Sequence, residues 1–447
     1  MLESASLKYP LVAELTSPQF TWRARAIVVA DVLLVGLVAF LMIVRAKEFF
    51  NVQALLLAVA GGSVLKNLFL DESWKRVGAL NLLDLAVTIV AGVELLNYLT
   101  STYRPNTFLA VNDALFFFLF YWLIRFNVNR EYQRTTLFFV LAFCGVGLAI
   151  VSLYNSWDLN ARLQALGFAD LTNFRNYIYF LNPIGLAIGV WCTVFFPLLC
   201  FPVILLLKFR NSRLAKAVLV PAISVILIAM GATFIRGVYI AVFASAGVLL
   251  TLNLLYHVLP VRTMVRAGLV LATLLILGLL PVMRPVLTTM SLFTTTSQVR
   301  SFKGRTKLWK DSAPMVKDHL WFGVGTGNFP MKHIAYRSEE DDAGFVLRPF
   351  NVLLQVLVEK GIVGLVAYGF LCVSFLWVSH RKIRKLRHNV YEQFVIVIFV
   401  TAFIGMIVRD MSESSILVNG GVGVILTYVF AHVAQSPSEC EHAEPSH

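Results

Sequence analysis

The feature that most constrains this chain is a series of apolar stretches, each about twenty residues long. Twelve can be delimited, at residues 26–44, 53–70, 78–97, 107–125, 135–154, 179–207, 214–232, 237–259, 264–283, 361–379, 390–408 and 414–434. A helix needs about 20 apolar residues to cross a bilayer, and it satisfies its own backbone hydrogen bonds there. Charged residues make up only 14% of the chain. The sequence therefore predicts an all-α, polytopic integral membrane protein with about twelve transmembrane helices.

One long polar insert interrupts this pattern. The predicted organisation is nine membrane helices in 1–283, an extracytoplasmic loop in 284–348, a polar-striped helix with three membrane helices in 349–434, and a polar tail in 435–447. A chain made mostly of membrane helices seldom keeps such a segment unless something binds or reacts there. We therefore expect the functional site in or beside the insert.

Lysine and arginine are unevenly divided between the short loops. Dense clusters such as Lys208–Lys216 and Arg381–Arg387 fall on one side of the predicted topology, while the other side carries scattered residues such as Arg104 and Arg409. The positive-inside rule then predicts cytoplasmic termini and an external insert. This bias explains most of the net charge of +13 without a nucleic-acid partner. The five scattered cysteines show no zinc-binding spacing, and no metal or cofactor is expected.

The segment after the insert predicts a helix with one polar stripe. Arg348, Asn351, Gln355 and Glu359 recur every three or four residues among apolar neighbours, so they would share one helix face. At membrane depth, such a face usually looks into protein or a water-filled cavity.

Within the insert, residues 305–319 predict a short helix, broken or bent near Pro314. Gly323, Gly325 and Gly327 then predict a tight turn. A nucleotide-binding loop is the less favoured interpretation, because no strand precedes the glycines. The turn would instead let the backbone approach a membrane helix.

Three arginines on the external side could bind an anion. Arg175 precedes the sixth apolar stretch, Arg236 opens the eighth, and Arg305 opens the predicted insert helix. Clustered arginines suit a pyrophosphate through charge-assisted bidentate hydrogen bonds. A single arginine at this depth more often reaches to lipid headgroups. The coincidence of three with the polar-striped helix favours a binding role.

Ionisable residues within the apolar stretches leave a transport interpretation open. They are Asp31, Lys66, Asp84, Glu94 and Asp113. They could form a proton relay, but most lie near stretch ends, which favours placement at the membrane interface. The absence of an obvious internal repeat also weakens a transporter. In the insert, His319 and His333 could act as bases or could simply be solvated.

At these positions the chain resembles the O-antigen ligase and O-antigen polymerase superfamily, over roughly residues 20–435. The matching features occur in order: Arg175 with Asn182-Pro183, Arg236-Gly237, Gly304-Arg305 with Trp309, the FGVGTGNF run of 322–329, and Asn351 followed after nine residues by Gly361–Gly364. These proteins are multi-span glycosyltransferases that use undecaprenyl-diphosphate-linked glycans.

The resemblance implies an inverting, metal-independent transfer of a glycan from undecaprenyl diphosphate to a sugar hydroxyl, at the outer face of the bacterial inner membrane. The acceptor would be a glycan or lipid A core, and polysaccharide-assembly proteins are possible partners beside the lipid bilayer. The residues implied are Arg175, Arg236, Arg305 and Arg348 for the diphosphate, Gln355 and Trp309 for orienting the acceptor, and Asn351, Glu359 and His333 for catalysis.

One position departs from the family pattern. Phe350 stands where the family signature has a histidine that is proposed to activate the acceptor hydroxyl. A phenyl ring accepts no proton, so Glu359, His333 and Asp341 are candidate substitutes. The change favours a polymerase over a ligase. A ligase, a catalytically silent member and a transporter of lipid-linked sugars remain alternatives.

Overall fold

The computed structural model describes residues 35–36, 55, 57–62, 80–128, 131–165, 196–232, 236–260, 262, 269, 296–337, 348–411 and 420–435. Regular structure in these ranges is entirely helical. Eleven helices can be delimited there: α1 Leu82–Thr100, α2 Arg104–Asn127, α3 Glu131–Ala165, α4 Cys200–Lys208, α5 Arg213–Ala232, α6 Arg236–Tyr256, α7 Thr296–Asp318, α8 Phe329–Tyr336, α9 Val352–Lys385, α10 Val390–Asp410 and α11 Gly420–Ala434. The predicted all-α class is confirmed.

Six of these helices are long and apolar enough to cross a membrane. They comprise α1, α2, α9 and α10, together with Gln133–Tyr154 of α3 and Arg213–Met230 of α5. The predicted polytopic membrane architecture is therefore confirmed. The number of twelve spans stays a prediction, since the stretches at 26–44, 53–70, 179–207, 264–283 and 414–434 fall wholly or partly outside the described residues.

Aromatic side chains form the centre of the bundle. Phe138 of α3, Phe201 of α4 and Phe399 of α10 are buried, and their ring centres lie 5.8–6.2 Å apart. Tyr428 and His432 of α11 complete the cluster. Tilted and edge-on contacts of this kind favour one packing arrangement of the four helices.

One end of the bundle gathers the basic loops. Lys382, near the end of α9, donates to the carbonyls of His432 and Gln435 at 2.9 and 2.8 Å. Asn81, which caps α1, donates to the carbonyl of Ala434 at 2.8 Å. The start of α1 and the ends of α9 and α11 therefore lie together, and we call this the basic end.

The insert lies at the opposite end. Thr102, just after α1, donates from both its backbone N–H and its hydroxyl to the carbonyl of Val324 in the insert. Asn351, at the start of α9, donates to the carbonyl of Met411, at the end of α10, at 3.3 Å. We call this the insert end.

Helix α6 spans the distance between these two ends. Its last residue, Tyr256, hydrogen-bonds through its hydroxyl to Nδ1 of His380, near the basic end of α9, at 2.5 Å. In the middle of α6, Ser245 contacts the carbonyl of Thr401 in α10. The first residue of α6, Arg236, therefore opens the helix at the insert end.

The insert helix differs from the prediction. α7 begins at Thr296 rather than Arg305, and it continues through Pro314 to Asp318. Proline removes one helical hydrogen bond, that of the carbonyl four residues earlier. Here that carbonyl belongs to Lys310, which is exposed like Pro314, so water can take the place of the missing donor. α8 packs back on α7, where the Tyr336 hydroxyl donates to Asp318 at 2.7 Å.

Candidate functional site

Four backbone hydrogen bonds join α9 to the segment 320–328, which we call the glycine turn. They run from Val324 to Val358, from Gly325 to Glu359, from Ile362 to Leu320 and from Val363 to Trp321, at 2.9–3.2 Å. They exist because α9 is broken at Gly361, where φ is 65° and ψ is −164°. The break leaves two carbonyls before it and two N–H groups after it without helical partners. The glycine turn supplies partners for all four.

Glycine is required where the two backbones meet. Gly323 and Gly361 have φ of 69° and 65°, and a Cβ on either would overlap the backbone of the other segment. A Cβ on Gly325, with φ of 101°, would overlap the Asn328 side chain. Gly327 has φ of 82° and room for a Cβ, so only its backbone angle requires glycine. The predicted tight turn against a membrane helix is confirmed.

A buried ion pair fastens the broken helix to α1. Lys360 pairs with Glu94 of α1, and the Tyr368 hydroxyl lies 2.7 Å from Glu94 and 3.1 Å from the Lys360 ammonium. Thr326 of the glycine turn donates to the second Glu94 oxygen at 3.1 Å. The lysine stem crosses Gly364, where any Cβ would overlap it. The two glycines of the Gly361–Gly364 pattern thus have different structural roles. Gly361 allows the break in the helix, and Gly364 leaves room for the Lys360 side chain to fold back.

Asn97 of α1 completes this fastening. Its amide donates to the carbonyls of Phe322 and Glu359 at 2.8 and 3.0 Å, and its oxygen accepts from the Thr326 N–H at 2.7 Å. One buried side chain therefore bridges the glycine turn and α9. Because buried amides are costly to leave unpaired, this arrangement fixes the relative position of the three segments.

Gln355 and Glu359 lie beneath the glycine turn. Gln355 donates to the Glu359 carboxyl at 3.3 Å, and the two side chains are only 4% and 1% exposed. The backbone N–H groups of Gly327 and Phe329 also interact with this carboxyl. The face that they share is thus covered by the insert and does not open to a cavity.

The predicted polar stripe is wrong for Arg348. The helix begins at Val352, and Asn351 caps it by accepting from the Leu354 N–H at 3.0 Å. Arg348 precedes Pro349, and the residue before a proline avoids helical backbone angles. Arg348 therefore lies before the helix and not on its face.

Arg348 instead joins a group that we call the arginine–aromatic cluster: Arg305, Trp309, Arg348 and Phe350. The guanidinium carbons of Arg305 and Arg348 lie 5.5 and 5.7 Å from the centre of the Phe350 ring. Trp309, one helical turn after Arg305 in α7, donates from its indole to the carbonyl of Pro349 at 2.9 Å. The insert helix and the start of α9 thus meet at one aromatic ring.

The ring offsets the repulsion between the two cations. The distances to the shared ring hold the positive charges within about 11 Å of each other, so their repulsion in water is at least about 0.4 kcal/mol. Each cation–π contact contributes about 0.5–1 kcal/mol at such a partly exposed position. The attraction of each cation to Phe350 therefore opposes this repulsion and holds both arginines at one ring.

His333 is buried, not solvated. It is 3% exposed and stacks on Phe329, with a ring-centre distance of 5.2 Å. Its Nε2 lies 3.5 Å from a carboxyl oxygen of Asp311 in α7. This pair joins α8 to α7 within the insert.

A comparison with protein families identifies this region. Residues 221–369 match the family model described as O-antigen ligase, and this range includes α7, the glycine turn and the break in α9. Over this range the match supports the resemblance to the O-antigen ligase and polymerase superfamily. No curated protein matches the chain. The match implies a membrane environment and a lipid-linked glycan as the class of substrate.

Not every residue implied by the O-antigen ligase resemblance is described. Arg175 and Asp341 lie outside the described residues, and for Arg236 only the backbone is described, at the start of α6. In the described ranges, no group of three histidine, cysteine or acidic side chains could hold a metal ion.

Sequence reasoning missed the contact between Lys360 and Glu94 in this O-antigen ligase region. The sequence indicates Glu94 only as an ionisable residue within an apolar stretch, and Lys360 is not among the predicted site residues. The signal available was a lysine among apolar residues directly before the break at Gly361, since a buried lysine requires an acidic partner.

Proposed function

We propose that this protein transfers a glycan from undecaprenyl diphosphate to a hydroxyl of a sugar acceptor, in O-antigen or exopolysaccharide assembly. The observation that carries the proposal is the convergence of Arg305 and Arg348 on Phe350, beside Asn351, within the region matched to O-antigen ligase. When the glycosidic bond to the diphosphate breaks, negative charge develops on the leaving phosphate. Guanidinium groups placed there would stabilise that charge.

The proposal assigns different roles to the predicted site residues. Arg305 and Arg348 bind the diphosphate, and Arg236 joins them from the start of α6, which lies at the same end of the bundle. Trp309 and Asn351 orient the acceptor. Gln355 and Glu359 are buried under the glycine turn, so we assign them to holding that turn in place.

Phe350 bears on the choice between polymerase and ligase. It cannot accept a proton from an acceptor hydroxyl, and the buried His333–Asp311 pair does not open to the cluster's surface in this conformation. Departure of the diphosphate supplies much of the driving force, and the departing diphosphate can take up the proton of the acceptor hydroxyl, directly or through water, so no protein base is required. We therefore favour the polymerase reaction, with a ligase reaction on lipid A core as the alternative.

We further propose that the protein lies in the bacterial inner membrane with the basic end in the cytoplasm. The insert end would then face the periplasm. The clusters Lys208–Lys216 and Arg381–Arg387 support this orientation, because cytoplasmic loops are enriched in lysine and arginine. Other polysaccharide-assembly proteins would be partners there.

The transport alternative receives no support from two of the membrane acids, Asp84 and Glu94. Asp84 accepts from Tyr121 and Arg125 at 2.6 and 3.2 Å, and Glu94 is paired with Lys360. Both acids are thus committed to static contacts between helices.

A reconstituted assay tests the proposal. Purified protein is given an undecaprenyl-diphosphate oligosaccharide with candidate acceptors, and release of undecaprenyl diphosphate is measured. We expect turnover in the native chain and a loss of about 10- to 100-fold in Arg305→Ala, the worth of one charge-assisted contact.

Lys310→Ala is the matched control, because it removes an exposed cation from the same helix outside the cluster. Retained turnover in Arg305→Ala and Arg348→Ala would contradict the diphosphate assignment. Absence of turnover in the native chain with every acceptor tried would favour a catalytically silent member. The acceptor consumed separates polymerase from ligase.

A further inference from the structure

Phe350 occupies an unusual backbone conformation. Its φ is 53°, in the left-handed region that glycine favours and that bulky side chains rarely adopt. Such a conformation persists only where the surrounding structure enforces it, and it tends to occur at functional sites. The contacts of the Phe350 ring therefore indicate what its position contributes to the site.

Hydrogen bonds on both sides of the residue hold this conformation. On one side, the Trp309 indole holds the carbonyl of Pro349. On the other, Asn351 is fixed both by capping α9 and by donating to the carbonyl of Met411. Phe350 thus lies between a carbonyl bonded to α7 and an Asn351 side chain bonded to α9 and to the end of α10.

The ring so placed is directed at the two arginines. The guanidinium groups of Arg305 and Arg348 lie over it at 5.5 and 5.7 Å, although the two residues come from different segments of the chain. The two cations thus share one π system. Its direct effect is to limit where the two guanidinium groups can go.

We propose that Phe350 is a positioning residue, which holds Arg305 and Arg348 as one anion-binding unit for a diphosphate. The inference rests on the proposed function and deepens it. The phenyl ring, which removes a candidate base, supplies in its place an attachment point for two cations. Stabilisation of the charge on the leaving group then contributes more to catalysis than removal of a proton from the acceptor.

Chemical modification of arginine tests this inference without relying on turnover. Phenylglyoxal reacts with accessible guanidinium groups, and mass spectrometry measures the rate at each arginine. In Phe350→Leu, which removes the π system, we expect several-fold faster modification of Arg305 and Arg348. In Phe350→Tyr, which retains the π system, we expect the native rates. Arg387, exposed at the basic end, is the internal reference in every sample.

Protection by inorganic pyrophosphate is the second measurement. We expect pyrophosphate to slow modification of both arginines in native protein and in Phe350→Tyr, and to do so several-fold less in Phe350→Leu. Phe350→Met serves as a second variant without a ring if Phe350→Leu does not give a monodisperse sample. Unchanged modification rates in the variants without a ring would overturn the inference, whatever the reconstituted assay shows.

The two failures are distinguishable. Faster modification in Phe350→Leu, with no pyrophosphate protection in native protein, would overturn the anion-binding role while leaving Phe350 as a structural contact. If turnover is also absent from the native chain, the proposed function fails as well. If turnover is present, only the assignment of the diphosphate to these arginines fails.

Discussion

At the scale of single residues, contact between two backbones depends on the absence of two side chains. Gly323 and Gly361 each lie where a methyl group would overlap the other segment, and each has a positive φ. The pattern of glycines could be predicted to form a turn from the sequence. The partner of that turn could not, because no local pattern shows which backbone lies 2.9 Å away.

Gly323→Ala should therefore destabilise the protein severely. The left-handed conformation alone costs an L-residue about 1–2 kcal/mol, and the overlap with Glu359 adds to it. We expect a clear fall in the midpoint of thermal unfolding of the detergent-solubilised protein, measured by size-exclusion chromatography of heated samples. Gly92→Ala is the control, since Gly92 lies in α1 with open space around it and alanine favours helix. A midpoint in Gly323→Ala equal to that of Gly92→Ala would contradict the described contact.

The Glu94–Lys360 pair predicts strongly non-additive effects. Removing one partner leaves a buried charge uncompensated, so Glu94→Gln and Lys360→Met should each cost about 3–5 kcal/mol. The double variant removes both charges, and it should be more stable than the sum of the single changes predicts. A double-mutant cycle on thermal unfolding in detergent measures this coupling. Simple additivity would show that the two residues do not interact.

This pair also marks a limit of prediction from sequence. The two residues are 266 positions apart, and either one alone resembles a charge at the membrane interface. Only the folding of α1 against α9 brings them together. Arg305 and Arg348 are a similar case: both could be selected as candidates, but their shared ring could not.

At the scale of elements, α9 is two helices in one. Before Gly361 it carries buried polar residues under the insert, and after Gly361 it is a membrane span. The sequence predicted this division, with a polar stripe followed by an apolar stretch from 361. It misplaced Arg348, because a repeat of three or four residues does not show where a helix begins. Pro349 and the cap at Asn351 determine that boundary.

Two asparagine caps allow the start of α9 to be tested against a matched position. Asn351 caps α9 at the insert end, and Asn389 caps α10 at the basic end by accepting from the Glu392 N–H at 3.1 Å. Replacing either by alanine should cost about 1 kcal/mol of stability.

We expect only Asn351→Ala to reduce glycan transfer by an amount beyond this shared loss, because it also removes the hydrogen bond from Asn351 to Met411 next to Phe350. Thermal midpoints and initial rates of both variants are compared. Equal rates in Asn351→Ala and Asn389→Ala would show that the start of α9 has no part in the reaction.

At the scale of the whole molecule, the charge bias and the described helices agree. The described part of the chain places Lys208, Lys382 and Arg384 at one end and the insert at the other. The membrane class and the two-sided arrangement could be predicted from sequence, since apolar length and loop charge are properties of local composition. The packing order of the helices could not be, because their apolar surfaces are chemically alike.

Cysteine labelling tests which side each end faces. Ala335→Cys in α8 and His388→Cys in the loop after α9 are both exposed. In a cysteine-free background, a membrane-impermeant maleimide added to intact spheroplasts should label Ala335→Cys and not His388→Cys. Both should be labelled after the membrane is opened. The reverse pattern in intact spheroplasts would contradict the proposed orientation.

The insert end also exposes apolar side chains beside the membrane span. Trp321, Met331 and Ile334 are 64%, 54% and 58% exposed, and the carbonyl of Trp321 is bonded to Val363 in the first turn of the span. Tryptophan is enriched at membrane interfaces.

We expect spin labels at Trp321→Cys and Ile334→Cys, in nanodiscs, to relax more with lipid-soluble oxygen than with a water-soluble nickel chelate. His388→Cys, at the basic end, is the reference for a label that is exposed to water. Labels at both insert positions that behave like the reference would show that this surface lies away from the bilayer.

The four backbone hydrogen bonds between the glycine turn and α9 have a geometric consequence. They tie the insert to a membrane span at the peptide level, with the Lys360–Glu94 pair as a second attachment, so the insert has no hinge at this point. The arginine–aromatic cluster is then held at one constant height over the bilayer. Under the proposed function, a lipid-linked substrate would reach the cluster by lateral movement in its leaflet, and the length of a growing glycan would not change where its anchored end meets the cluster.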